Sequence, residues 1–120
     1  MKKALLLCVV FAQSACASVD RPSTPTYPPE TIFKNYALST CLADAFEDAE
    51  LRKDASATAA GFLEFGTGPI EAYTEATLMG REFLKRNYDG KAPVEFNTKK
   101  CIDFFHSEEL DRLVERYITN

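Results

Sequence analysis

The stretch Thr31–Ala45, with the sequence TIFKNYALSTCLADA, decides the fold. Its apolar residues Phe33, Ala37, Cys41 and Ala45 recur at every fourth position. This spacing gathers them into one apolar stripe along an α-helix of about 15 residues. The stretch therefore predicts an amphipathic helix with one buried face, and a cysteine lies in the middle of that face.

Two further helices are predicted after this first one. A second stripe runs from Leu51 to Phe62 and is rich in alanine and other small residues, which let helices approach closely. We therefore predict that this second helix is buried against its neighbours. The break Gly66-Thr67-Gly68-Pro69 ends it, since glycine can close a helix and proline favours the first turn of the next. The third helix is predicted from Pro69 to about Arg86.

The C-terminal part predicts a loop and two shorter helices. Asp89-Gly90 and a following proline indicate an exposed loop over residues 87–97. Thr98 is predicted to cap a short helix that ends at Phe105, and Ser107 to cap the last helix. Strand-like alternation is not evident. The predicted fold class is all-α: a small bundle of about five helices, two of them short.

The first 17 residues have the features of a secretory signal peptide. Lys2 and Lys3 precede the apolar run Ala4–Ala12. This run is too short to span a membrane, because a transmembrane helix needs about 20 apolar residues. Ala15-Cys16-Ala17 then fits the small residues that precede a cleavage site. We predict cleavage after Ala17 and export to the periplasm, where disulfides form.

A proline-rich segment, residues 18–30, follows the predicted cleavage site. It carries four prolines with serine and threonine between them and has no apolar periodicity, so it is interpreted as a flexible lead-in. One alternative remains open here. Ser14-Ala15-Cys16 resembles the end of a lipoprotein motif, in which Cys16 would carry a lipid and tether the protein to a membrane. Gln13 departs from that motif, which favours ordinary cleavage.

Two of the four cysteines remain after the predicted processing. Cys8 is lost with the signal peptide and so is Cys16, unless it is lipidated. An even pair in an exported chain of about 100 residues predicts a disulfide between Cys41 and Cys101. Such a bridge would join the first helix to the fourth. The alternative is a pair of free buried thiols.

The charge balance disfavours some classes of partner. The whole chain has a formal net charge of −4, and removal of two lysines with the signal peptide makes it more acidic still. Nucleic-acid backbones and anionic membrane surfaces require clustered Lys and Arg, so neither is expected as a partner. A basic protein partner is compatible with this charge, and electrostatic attraction would speed its association.

Catalytic and metal-binding patterns are weak. His106 is the single histidine, and its nearest cysteine, Cys101, is the predicted disulfide partner of Cys41, so a thiolate–histidine pair is not expected. One histidine and two bridged cysteines do not form a zinc site. Glu64 and Glu71 could form a carboxylate pair, yet nothing in the sequence brings them together. We therefore predict no catalytic residue, no metal and no cofactor.

Two stretches resemble a known family. The first is GFLEFGTGPIEAY at 61–73, and the second is FNTKKCIDFFHSEELD at 96–111, followed by Leu113, Val114 and Tyr117. Both are similar to the type VI secretion amidase immunity proteins. Tyr36-Ala37-Leu38 and Cys41 also fit the first helix of that family. The resemblance covers residues 33–117. It predicts that residues 31–120 form a helical immunity-type domain.

The resemblance implies a periplasmic inhibitor. It would bind a peptidoglycan cysteine amidase injected by sister cells and occlude the active-site cleft, with a helix and a protruding loop supplying the inhibitory surface. It also implies a homodimer. The alternatives are a periplasmic structural or adaptor lipoprotein, and a small carboxylate hydrolase. The residues that we expect to contact the partner are Glu64, Phe65, Gly66, Glu71, Glu75, Glu82, His106, Ser107 and Glu108.

Overall fold

Five α-helices make up residues 26–120, the part of the chain that this computed structural model describes. They are α1 (Pro29–Ala45), α2 (Ala49–Glu64), α3 (Ile70–Leu84), α4 (Asn97–Phe105) and α5 (Glu108–Tyr117). The described residues contain no strand. The predicted all-α bundle with two short helices is confirmed. The predicted signal peptide and residues 18–25 of the lead-in lie outside the described residues.

Helix α1 is the centre of the bundle and contacts each of the other four helices. Phe33, Ala37 and Cys41 are almost completely buried, as the four-residue spacing predicted. The Phe33 ring packs against Tyr73 of α3, with centroids 5.2 Å apart. Burial of a large aromatic side chain contributes about 1.5–3 kcal/mol to folding, so this stripe is a main source of stability.

Helix α1 begins earlier than the sequence pattern indicated. Pro29 and Glu30, which the prediction placed in the lead-in, form the first turn of the helix. Pro29 is favoured there because its fixed φ suits a helix and its missing N–H has no partner in the first turn. Glu30 adds a negative charge at the positive end of the helix dipole. Pro28 precedes the helix in an extended conformation, with φ −65° and ψ 157°.

Helix α2 is less buried than predicted. It packs along α1, but only Ala55 and Ala59 are fully buried, and Leu51 and Thr58 of the predicted stripe are exposed. The prediction of a helix enclosed by its neighbours is therefore wrong. Small residues permit close approach on one side, but they supply too little side-chain area to cover a second side.

The caps of the last two helices differ from each other. Ser107 caps α5 as predicted, because its hydroxyl accepts a hydrogen bond from the Leu110 N–H. The predicted Thr98 cap of α4 is wrong. Helix α4 begins at Asn97 after Phe96, which adopts a left-handed conformation with φ 52°, and no side chain caps it.

The disulfide between Cys41 and Cys101 is confirmed and joins α1 to α4, with their Cα atoms 5.7 Å apart. Both cysteines are buried. The bridge closes a loop of 60 residues, which corresponds to about 4 kcal/mol in the chain-entropy model. In a small domain this is a large share of the free energy of unfolding.

Candidate functional site

The single histidine and the two cysteines of residues 26–120 do not form a catalytic pair. His106 is exposed and its ring packs edge-on against Phe105, 4.9 Å between centroids, while Cys101 is held in the disulfide. Residues 26–120 hold no group of three or more His, Cys, Asp or Glu side chains that could bind a metal ion. No helix among them is long and apolar enough to cross a bilayer.

The longest connection between described helices is the segment 85–96, which we call the α3–α4 loop. Lys100 holds its base. This lysine is only 3% exposed, and its Nζ donates a hydrogen bond to the carbonyl oxygen of Leu84, at 3.0 Å. That carbonyl belongs to the last turn of α3, where the helix dipole favours a cation. Glu95 Oε2 lies 3.9 Å from the same Nζ, so one ammonium group contacts both ends of the loop.

A second contact holds the loop through Tyr88. Its hydroxyl donates to Asp103 Oδ2 of α4 at 2.7 Å, and Lys99 Nζ forms an ion pair with the same carboxylate. The hydrogen bonds from Lys99 and Tyr88 lower the pKa of Asp103. The bond to Asp103 raises the pKa of the Tyr88 phenol. The loop is therefore anchored to α4 by a phenol, a carboxylate and an ammonium group in mutual contact.

The end of the loop carries local backbone strain. Among the described residues, Phe96 is the one residue other than glycine that has a positive φ. Such a conformation costs on the order of 1–3 kcal/mol and is concentrated at functional sites. The Phe96 ring lies over Gly90, where a Cβ would come within 2.2 Å of it. Any side chain at position 90 would therefore displace this ring.

The loop exposes apolar surface despite these anchors. Val94 is 60% exposed and Ile102 of α4 is also exposed. With Phe46 they line a groove of about 460 Å³. The turn residues Asp89, Gly90 and Pro93 predicted an exposed loop here. No feature of the sequence predicted the left-handed backbone conformation of Phe96.

All the predicted contact residues except Glu75 fall into two groups at opposite ends of α3. Glu64, Phe65, Gly66 and Glu71 lie at its start, where the turn between α2 and α3 places Phe65 69% exposed. Gly66 has a structural role there, since a Cβ would come within 1.9 Å of the buried Tyr73 hydroxyl. Helix α3 is about 21 Å long, so one narrow contact cannot include both groups.

The other group lies near the end of α3 and the start of α5. Glu82 pairs with Lys85, at 2.6 Å, and Glu108 lies 3.7 Å from Arg112. Arg86 and Glu109 link the two elements at 3.3 Å. His106 is exposed beside them, whereas the Ser107 hydroxyl is used for the cap of α5 and for a bond to the Phe104 carbonyl.

Glu75 differs from the other predicted contact residues, because it ties α3 to α5. Its carboxylate accepts a hydrogen bond from the Tyr117 hydroxyl at 2.6 Å and lies 3.4 Å from Arg116. The bond to Glu75 raises the pKa of the Tyr117 phenol. A partner that bound Glu75 would compete with this internal contact.

This combination defines the class of the protein. It is a small helical domain, braced by one disulfide, that presents an anchored loop and exposed apolar side chains. Comparison with protein families makes the class specific: residues 31–114 match the family of type VI secretion system (T6SS) amidase immunity proteins, Tai4. The chain belongs to this family, as the resemblance of residues 33–117 predicted.

Solved structures agree with this assignment. A chain from the effector–immunity system Tae4/Tai4 of Salmonella typhimurium is 39% identical, with a TM-score of 0.73, over 77% of this chain and 91% of its own length. A chain from the Tae4–Tai4 complex of Enterobacter cloacae is 27% identical, with a TM-score of 0.70, over 78% of this chain and 95% of its own.

A third similar structure comes from work on type VI-secreted toxins and self-resistance proteins of Serratia marcescens. It is 24% identical, with a TM-score of 0.71, over 87% of this chain and 90% of its own, and it supports the fold alone. The curated proteins contain no significant match to the chain.

Proposed function

We propose that this protein protects the cell that makes it by binding a peptidoglycan amidase effector of the Tae4 kind and occluding its active-site cleft. The observation that carries the proposal is the family match over residues 31–114, which includes α2, α3 and α4 and most of α1 and α5. Chains with this fold occur in effector–immunity complexes. In this proposal the protein has no enzymatic activity of its own.

The α3–α4 loop is the element that we propose enters the cleft. Val94 would act as its apolar anchor, because its side chain is 60% exposed and association would remove this apolar surface from water. Lys100, Tyr88 and the Phe96–Gly90 contact hold the loop in place before binding. A preorganised loop loses less conformational entropy on association, so more of the contact energy appears as affinity.

The exposed side of α3 is proposed as the second part of the surface. Ile70 and Leu78 are both more than half exposed, and Thr74 lies between them on the same face. Glu71 and Glu82 flank this face and supply negative charge. A basic rim on the amidase would be attracted to these carboxylates, so an increase in ionic strength should slow association.

Location and assembly complete the proposal. Residues 1–17 act as a signal peptide that delivers the chain to the periplasm, where the Cys41–Cys101 bridge forms. The protein acts there as a homodimer. Sedimentation equilibrium of the exported protein measures this assembly, and N-terminal mass spectrometry identifies Ser18 or an acylated Cys16 as the first residue.

The test of function is inhibition of a peptidoglycan amidase effector of the Tae4 kind. Increasing amounts of the protein should abolish cleavage of peptidoglycan stem peptides at a stoichiometric ratio. Val94→Asp should weaken inhibition by 100-fold or more, because it would bury an unpaired charge in the interface. Ala57→Asp introduces the same negative charge at an exposed position of α2 and is the matched control.

Two outcomes would count against different parts of the proposal. Full amidase activity in excess wild-type protein would reject the inhibitory function. Equal inhibition by wild-type protein and Val94→Asp would retain the function but reject the α3–α4 loop as its anchor.

A further inference from the structure

The side chains that anchor the α3–α4 loop from outside it lie on one short helix. Lys100, whose ammonium contacts both ends of the loop, is a residue of α4. So is Asp103, which accepts the hydrogen bond from the Tyr88 hydroxyl. The loop itself ends at Phe96, immediately before this helix. The position of the loop therefore depends on the position of α4 in the bundle.

Helix α4 has little stability of its own. It has nine residues, no side chain caps its first turn, and Phe96 before it has a left-handed backbone. Isolated helices shorter than about 12–15 residues are marginal in water. Helix α4 is therefore held in place by its contacts with the other helices.

The disulfide enters α4 between the two loop anchors. Cys101 directly follows Lys100 and precedes Asp103 by two residues, and its bridge to Cys41 fixes this turn of α4 to α1. Both cysteines are almost completely buried. The one covalent link between α1 and α4 is thus made at the turn that holds the loop.

Helix α3 approaches the bridge at the same place. A Cβ at Gly80 of α3 would lie 3.1 Å from the Phe104 ring and 3.6 Å from the Cβ of Cys41. The bridge therefore lies where α1, α3 and α4 meet, and α3 is the helix from which the loop leaves. Loosening of α4 at this junction would change the distance between the two ends of the loop.

The other end of the core does not contain the bridge. Phe33 of α1 packs on Tyr73 of α3, and it lies eight residues, or about 12 Å along the helix, from Cys41. Helix α2 also packs on α1. The packing of α1, α2 and α3 can therefore persist when α4 is no longer tied to α1.

We infer that the Cys41–Cys101 bridge holds the α3–α4 loop in its inhibitory position, so that the protein inhibits the amidase only after the bridge has formed; this rests on the proposed function. Formation of the bridge joins the two Sγ atoms and removes two protons and two electrons. A thiol–disulfide exchange oxidant accepts them, and its own disulfide becomes two thiols. The reduced chain is folded but does not inhibit.

Inhibition by a chain that cannot form the bridge tests the inference. Cys41→Ala with Cys101→Ala and the wild-type exported protein are titrated against a Tae4-type amidase in the same buffer, so the amidase is in the same state in both. Apparent affinity falls with the fraction of molecules whose loop is in place, and a fraction of about one in 100 gives about 100-fold weaker inhibition. We expect a loss of at least this size.

Phe33→Ala is the matched control. It removes a buried ring far from the loop and keeps the bridge, so it lowers the stability of the domain without releasing α4. It should inhibit like the wild-type protein. Lys100→Met also keeps the bridge but removes the ammonium that contacts both ends of the loop, and it should weaken inhibition.

Amide hydrogen exchange follows the loop anchors without the amidase. The Lys100 N–H donates to the Phe96 carbonyl at 3.0 Å and reports the first turn of α4. In the double cysteine variant its exchange should be faster by a factor about 10 times larger than the change for amides in the middle of α3. In Phe33→Ala the amides of α4 should not be the more affected group.

Several results would overturn the inference. Equal inhibition by the wild-type protein and the double cysteine variant would do so, and so would an equal loss in Phe33→Ala, which would assign the effect to stability. A double cysteine variant without helical circular dichroism would make the bridge a requirement of the whole fold. Full inhibition by Lys100→Met would show that α4 does not act through this anchor.

Failure of the wild-type protein to inhibit has a different meaning. It would reject the proposed function, whereas the exchange rates would still show whether the bridge holds the base of the loop.

Discussion

Helices α2 and α4 contact the same central helix, α1, but they depend on different forces. Helix α4 has only nine residues, yet it carries a disulfide to Cys41 and inserts Phe104 into the core. Helix α2 is longer by seven residues and buries little beyond two alanines on α1. The length of a helix therefore says little about its share of stability, which follows the buried area and the covalent link.

Removal of the disulfide should have one of the two largest effects on stability in this comparison. Cys41→Ala with Cys101→Ala should lower the free energy of unfolding by about 4 kcal/mol, because the reduced chain regains the entropy of a long open loop. Urea unfolding followed by circular dichroism measures this difference. Wild-type protein unfolded in reducing agent is the control and should match the double variant. A loss below 1 kcal/mol would mean that packing alone holds α4 on α1.

Truncation of one aromatic residue in each helix makes the comparison direct. Phe104→Ala should cost about 3–5 kcal/mol, as expected for a fully buried ring. Phe62→Ala should cost less than about 1.5 kcal/mol, because this ring is only partly buried. Both values come from the same urea titration. Equal losses would show that α2 contributes to the core as much as α4 does.

The contact between Tyr88 and Asp103 should have the smallest effect on stability. This effect should appear as a dependence of the melting temperature on pH. Asp103 has a lowered pKa, so its contribution is complete above the ordinary aspartate value of about 3.9 and is lost as the pH falls below it. Tyr88 has a raised pKa, so its contribution is complete below about 10 and is lost as the pH rises further. Melting temperature should therefore decline at both extremes.

Asp103→Asn isolates this contact. Ultraviolet titration of the tyrosines should show one phenol whose pKa moves back toward its ordinary value in the variant, because the carboxylate that stabilised its protonated form is gone. Tyr117 provides an internal control, since its raised pKa depends on Glu75 and should not move. An unchanged titration would mean that Tyr88 does not contact Asp103 in solution.

Most of the fold could be predicted because its signals are local. A four-residue apolar repeat marked α1, and Ser107 marked the start of α5. The disulfide was predicted by counting the cysteines that remain in a chain expected to be exported. The burial of α2 was predicted wrongly because small residues indicate close approach on one side and do not tell whether a second neighbour exists. Pro29 was assigned to the lead-in because a proline serves equally in a tether and in a first helical turn.

The site was harder to predict because its features are not local. Lys100 is an ordinary surface residue in the sequence, and only the fold places its ammonium against the end of α3. Phe96 has no sequence feature that predicts a left-handed backbone. The acidic residues chosen as partner contacts are abundant, and the pairing of Glu75 with Tyr117 depends on the packing of α5 on α3. The family resemblance supplied the function that these residues could not.

The number of cysteines determines how many different disulfide-bonded products the chain can form. The full sequence has four cysteines, which allow three different arrangements of two bridges. Residues 26–120 contain two, so one intramolecular pairing exists among them. If the N-terminal cysteines are removed before oxidation, no incorrect intramolecular bridge can form and no isomerase is needed. Under the proposed cleavage after Ala17, the order of processing and oxidation would decide whether an incorrect bridge can form.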